Sequence, residues 1–242
     1  MYLNSYRFMN LEIRNKSQVL LLGRAPKSYP VGYEVVGDEQ IPISLPAGTA
    51  LVPERLVRFD ELSRSVVASA EAIHFYSSDE KFEKVLFEPQ LYLEKFSKFK
   101  AVLTPDCSVT SGMPYSTRVL QTRLSRQVGA IWASHGLNVI TSVRWSDSKD
   151  FEIAITGIPR NSIIAVGTYG LMRNLESRRV LREGLERLVE LLEPASILIF
   201  GAIDPDLHER LSKTTVIRKF TPEHWAKPDQ IRKYEQALDL FD

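Results

Sequence analysis

Cysteine is almost missing from this chain. The single Cys107 among 242 residues rules out an intrachain disulfide and a cysteine-rich zinc site, and fits a reducing cytosol. Long apolar runs are missing as well. The longest are short, such as "SILIFGAI" at 196–203, far below the ~20 residues of a membrane helix. The opening "MYLNSYRFMNLEIRNK" is too polar for a signal-peptide core. Neither sign of charge dominates, since 31 basic side chains face 30 acidic ones, so no global field draws the chain to nucleic acid or an anionic membrane. The expectation is a cytoplasmic protein with no membrane partner.

Chemical fingerprints are equally scarce. The four histidines, His74, His135, His208 and His224, fall in separate contexts, with no HxH, HxxxH or HExxH spacing. No GxGxxG or P-loop marks a nucleotide cofactor. A Ser-His-Asp set is not legible either.

Proline is plentiful near the start, and it divides the chain. Residues 1–48 hold short β-like runs ("QVLLLGRA", "YEVVGDE", "IPISLPAGTA") broken by Pro26, Pro30, Pro42 and Pro46. Proline at that density forbids central strands and predicts edge strands and turns. We expect a β-rich extension or cap over 1–48, an α/β domain over 49–225, and a helical tail over 226–242.

From residue 49, apolar runs of strand length alternate with amphipathic stretches: "TALVPE", "AIHFYS", "KAVLTPD", "NVITSVRW", "IIAVGTYG", "ILIFGAI" and "TVIRKF". Strands alternating with helices imply parallel pairing and right-handed crossovers. A helix from Pro114 to His135 should bury Leu120, Leu124, Val128 and Ile131 and turn Arg118, Arg123 and Arg126 outward. A second, from Glu176 to Glu193, should bury Leu181, Leu185, Leu188 and Leu192, with Glu183 paired to Arg187.

Polar or aromatic residues follow almost every run: Glu54, Ser77 with Asp79, Asp106 with Ser108, Trp145 with Asp147, and Thr168 with Tyr169. An open doubly wound sheet gathers ligand groups at one switch point, whereas a barrel gathers them around its whole mouth. The pattern favours a parallel (β/α)-barrel-like fold or an incomplete barrel, because only seven strands can be counted.

The runs "AIHFYSSDEKFEKVLFEPQLYLEKFSKFKAVLTPDCS", "MPYSTR", "GAIWASHGLNVITSVRWSD", "FEIAITGIPRNSIIAVGTYG" and "PASILIFGA" resemble a bacterial family catalogued as domain of unknown function 4417. The resemblance covers roughly residues 49–202. It implies the α/β fold and a setting in phages, plasmids and other mobile elements, and it brings no activity. Two positions depart from the family pattern, which has an aromatic residue at Cys107 and a serine at Gly167.

Candidate site residues follow from the strand exits. Asp106, after the strand-ending Pro105, could be a metal ligand, an acid–base group or a loop cap. Asp79 and Asp147 are candidate helpers, Asp79 doubling as a candidate N-cap. Ser108, Arg144, Trp145, Thr168, Tyr169 and Gly170 are candidate ligand contacts. Arginine can fork onto phosphate or carboxylate, and a tryptophan can stack a ring or lid the core. His74 reads as a core histidine. A divalent metal is one ligand this set could take.

A different function class rests on Arg173, Arg178, Arg179, Arg182 and Arg187, which together could meet nucleic acid or a host protein. The interleaved Glu176, Glu183 and Glu186 argue instead for a self-paired, solvated face.

Overall fold

The computed structural model describes residues 33–168, 171 and 175–222. The expectations for "QVLLLGRA", Tyr169, Gly170, Arg173, His224 and the 226–242 tail lie outside these residues.

Seven parallel strands form one sheet: β3 (Arg55–Arg58), β4 (Glu71–His74), β5 (Ala101–Leu103), β6 (Val139–Ser142), β7 (Ile163–Gly167), β8 (Ser196–Phe200) and β9 (Val216–Phe220). They pair in sequence order from β3 to β9, and the sheet curls into a half-barrel. Strict side-chain alternation divides the core. Ile164, Val166, Ile197 and Ile199 face the helices, while Ile163, Ala165, Leu198 and Phe200 face the concave side. The expected incomplete barrel is therefore what forms. Its last strand, β9, carries Arg218 and Lys219 and is largely solvent-facing, charges that discourage pairing with another strand edge.

Among the described residues six helices cover the outer face: α1 (Asp79–Phe87), α2 (Leu93–Phe96), α3 (Tyr115–Ser134), α4 (Phe151–Ile155), α5 (Leu175–Leu192) and α6 (Pro205–Leu211). The segment before the sheet forms a small antiparallel hairpin of β1 (Val35–Val36) and β2 (Ile41–Pro42). It then runs on as a strap. The Ser44 N–H donates to the Gly157 carbonyl and the Ile163 N–H to that of Ala47, tying the strap to the start of β7.

Three local readings need correction. "TALVPE" is not a strand: Thr49–Leu51 is a 3-10 turn, and the strand begins after Pro53, at Arg55. Its flanking arginines hide it in the sequence. Arg55 is matched by Glu71 across the ladder, at 3.1 Å. Glu54 thus precedes a strand instead of following one.

On α3 Leu124, Val128 and Ile131 are buried as expected and Leu120 is partly buried, but Arg118 and Arg126 are buried too, at 5% and 3% exposure. The reason is that strap and α4 close over the face that periodicity assigned to solvent: Arg126 reaches Ser44 from the strap and the Ala154 carbonyl from α4. On α5 the stripe of Leu181, Leu185, Leu188 and Leu192 is buried as expected. Glu183, however, pairs with Arg179, while Arg187 pairs with Glu152 and lies over the Phe151 ring.

Gly184 explains how closely α5 sits on the sheet. A Cβ built there falls 2.3 Å from the Trp145 indole. Alanine is a better helix former than glycine by about 1 kcal/mol, so propensity alone predicts that Gly184→Ala stabilises. Overpacking of this kind typically costs about 1–3 kcal/mol. We expect a net loss of stability on urea denaturation; an unchanged or raised midpoint would show that the contact relaxes freely.

Candidate functional site at the strand ends

Parallel pairing puts the C-terminal ends of β4, β5 and β6 side by side, and three exit segments deliver polar groups to one place. Beyond β5, Pro105 stops the ladder and Asp106 follows, 7% exposed. Its Oδ2 accepts from Arg144 Nη1, beyond β6, at 2.6 Å. Burial pushes the Asp106 carboxyl above its usual range, against the Arg144 charge and hydrogen bonds from Arg144 and Ser142. The adjacent Asp106 charge in turn raises the Arg144 pKa. About a third of the Arg144 side chain stays exposed, and its buried Nε has no hydrogen-bond partner.

Asp79 opens α1 but does not cap it. Its two carboxylate oxygens accept from the Ser108 N–H (3.0 Å) and the Ser108 hydroxyl (2.8 Å), so it binds the β5 exit loop. Burial raises its pKa and the bonds from Ser108 lower it; the neighbouring Asp106 charge raises it further and Arg144 opposes that. Two partly desolvated carboxyls therefore feel each other across one guanidinium. Cys107, next to Asp106 in sequence, is buried, and burial and then the two carboxylates push its thiol far up, which keeps it protonated and inaccessible.

Tyr76 crosses the concave face to join this group. Its hydroxyl accepts from Ser142 Oγ at 3.2 Å, and its ring stacks on Phe200, centroids 4.8 Å apart. Gly167 makes room, because a Cβ there would meet the Tyr76 ring at 2.7 Å. That contact gives the departure from the family's serine a physical meaning.

Beside Arg144 lies a cavity of about 190 Å³, lined by Thr110, Ser111, Trp145, Ser146, Gly167 and Ser177 among others. Trp145 forms part of its wall but is 8% exposed, edge-on to Phe151, with Nε1 donating to the Val180 carbonyl. Its indole is chiefly a core side chain.

Other candidates are placed elsewhere. Asp147 is drawn to Arg118 (2.9 Å), which also binds the carbonyls of Ser111 and Met113; Arg118 lowers the Asp147 pKa together with the Lys149 N–H, overcoming the opposing effect of burial. This cluster fastens one loop to another. Thr168 is 1% exposed and donates to the Ala202 carbonyl at 2.6 Å, a tie between strand ends. Among the described residues no group of three or more His, Cys, Asp and Glu is arranged to hold a metal ion.

Tyr76 and Ser142 are the members sequence reasoning passed over. The signal for Tyr76 was its alternation with His74 on "AIHFYS"; a serine in a strand offers none. Arg178 and Arg182 each approach Asp204, and Arg179 pairs with Glu176 and Glu183, so the arginine face of α5 is internally compensated.

His74 is 4% exposed and packs on Phe200 and Tyr76. Its Nδ1 accepts the Tyr76 N–H. Burial, helped by the Arg58 charge, lowers its pKa to about 3. Neutral in the fold but basic when unfolded, it contributes stability fully above its ordinary value of 6.5, and that contribution is lost as pH falls from there toward 3. We expect its ring nitrogens to show no titration between pH 5 and 8 in ¹⁵N NMR; a midpoint near 6.5 would contradict the burial.

Comparisons with known proteins identify a family. The family model described as Domain of unknown function (DUF4417) matches residues 33–221. The chain is 30% identical over 170 residues to the "Gene 1 protein" of Mycobacterium phage L5, covering 69% of each chain. It is 29% identical over 168 residues to the "Gene 1 protein" of Mycobacterium phage D29, covering 66% of this chain and 62% of the relative. No solved structure matches. No helix among the described residues is long and apolar enough to cross a membrane.

Proposed function

We propose that this chain, which belongs to the DUF4417 family, is a cytoplasmic small-ligand-binding or catalytic domain of a phage-type protein, with its site at the C-terminal ends of β4, β5 and β6. The observation that carries this reading is the arrangement of Asp79 and Asp106, two desolvated carboxyls set about the single guanidinium of Arg144. A perturbed carboxyl paired with an arginine that lines a cavity is the raw material of acid–base chemistry and ligand recognition.

In this reading Asp106 is the central carboxylate and Asp79, oriented by Ser108, its helper. Arg144 turns its exposed third toward a polar or anionic ligand group. Trp145 supplies the cavity wall. Asp147 and Thr168 hold the surrounding loops, and Tyr169 and Gly170 follow Thr168 in sequence. The reading in which the arginine-bearing helices bind nucleic acid or a host protein has less behind it, since the α5 cations face carboxylates of the same chain.

A carboxylate kept for chemistry burdens the fold, whereas one kept for structure supports it. Because the Asp79 carboxyl is raised in the fold, its ionisation destabilises the native state as pH rises through the window between its ordinary value and its raised one. Asparagine can still pair with both Ser108 groups. We expect Asp79→Asn to match or exceed the wild type in urea denaturation at pH 7, with the gap closing toward pH 4. A loss at neutral pH that persists in acid would make Asp79 a structural tie.

Asp106→Asn differs, because it relieves a raised carboxyl but also takes the countercharge from Arg144. The second effect, about 1–3 kcal/mol on the scale of a charged hydrogen bond, should outweigh the first, and the variant should still fold. Binding or turnover at the site should fall by ~10²-fold or more. A variant that melts lower yet keeps full function would reduce Asp106 to scaffolding.

A further inference from the structure

α3 and the strap line a larger cavity of about 390 Å³. Arg126, 3% exposed, borders it, and also borders the small space lined by Asp106 and Arg144. A buried cation is normally matched by a carboxylate, and among the described residues Arg126 has none within ion-pairing distance. Its partners are the Ser44 hydroxyl at 3.0 Å and the Ala154 carbonyl at 2.6 Å, both neutral. The acidic residue on the lining, Glu34, is exposed and forms no ion pair with it among the described residues. Of the five guanidinium N–H donors, two are thereby used.

The groups around Arg126 extend its donor character. Ser44 Oγ lies 2.8 Å from Thr141 Oγ1, and Thr141 lines the cavity as well. One hydroxyl proton closes the Ser44–Thr141 bond, so whichever residue donates, the pair has a second proton to give. Most of the remaining wall is small or apolar, with Gly129, Ala130, Ala133, Val139, Ile43 and Leu45, and Tyr33, Thr104 and Ser134 complete it. Gly129 has no room for a side chain, because a Cβ there would meet Thr104 Cγ2 at 2.6 Å. A donor cluster at one end and a hydrocarbon wall at the other define an amphipathic ligand carrying one negative charge.

We propose that this cavity is a second binding site, separate from the strand ends, for a small monocarboxylate with an aliphatic body. The carboxylate bonds to Arg126 and the Ser44–Thr141 pair, and the body lies against Ala130, Ala133 and Val139. An anionic head fits the inner end, because Glu34 repels it from the mouth. Burial holds the Arg126 pKa down to about 9, which fits a cation without a counter-charge, and the guanidinium remains charged at neutral pH.

Octanoate is a suitable probe, with octanol and octylamine as matched controls of the same length. Titration calorimetry and thermal melting of the full chain should show saturable octanoate binding that raises the melting temperature, with neither control doing so. Arg126→Met should weaken octanoate by about tenfold to a hundredfold, the loss of one or two charge-assisted hydrogen bonds. Its fold should persist, since replacing an unmatched buried charge by a hydrophobe is often neutral or better. Ala133→Leu fills the cavity from α3 and leaves Arg126 intact, so it should abolish the response without lowering the unliganded melting point. Arg144→Gln should leave octanoate binding as it is. Equal stabilisation by octanol, full affinity in Ala133→Leu, or loss in Arg144→Gln would each overturn the assignment.

Discussion

A parallel sheet must be covered on both faces, and the organisation of this chain follows from how its two faces are covered. Six helices cover the outside. The concave side belongs to a sheet of seven strands that does not close, so it cannot be filled by strand side chains alone. Small residues on the inner face, Ala72, Ala101 and Ala165, leave space there. His74, Tyr76 and Phe200 stack into it. The stack in turn dictates a glycine at 167, and it carries the Tyr76 hydroxyl across to Ser142. One packing problem thus sets both the core and one edge of the candidate site.

Much of this architecture was legible because buried parallel strands read as nearly continuous apolar runs. β8, "SILIF", is buried at all five positions. β3 was misplaced for the converse reason: "RLVR" contributes only two core residues, and while Arg58 pairs with Asp60 and Glu61 just downstream, Arg55 is neutralised by Glu71, which a linear reading does not bring near. Arg118 and Arg126 expose a more general gap. Hydrophobic periodicity identifies one buried face of a helix but does not say whether a second element, distant in sequence, covers the other. For α3 that element is a strap about 80 residues upstream in the case of Ser44 and Arg126.

The candidate site was legible in the same uneven way. Asp106 stood out because a strand ends abruptly at Pro105, and Arg144 because it follows the neighbouring strand. Their 2.6 Å contact is what parallel order makes of two such exits. The Asp79–Ser108 pairing depends on adjacent strands as well, although propensity assigned Asp79 to a helix cap. The surroundings of Trp145 and Asp147 are set by residues distant in sequence. Gly184 lets the indole sink under α5, and Arg118 claims the carboxylate. Neither event leaves a trace within "VRWSDSKDFE".

Charge compensation separates the arginines of this molecule by what they can still do. Those on α5 are exposed and paired, a geometry worth little stability and leaving little charge unanswered. Arg118 is buried against Asp147 and the loop carbonyls, and its donors go into holding two loops together. Arg144 is paired through one nitrogen while a third of its side chain remains in reach of solvent, beside two carboxyls that burial keeps above their ordinary range. Arg126 is buried against neutral acceptors only. A guanidinium stays charged at neutral pH in all these settings, so the difference lies in where the countercharge comes from. For α5 and Arg118 it comes from the chain. At Arg144 the chain supplies one carboxylate contact and leaves donor surface open. At Arg126 it supplies dipoles alone, and dipoles offset a buried charge less completely than a carboxylate does. Arg144, with donor surface left over, and Arg126, without a carboxylate, each line one of the two cavities described above.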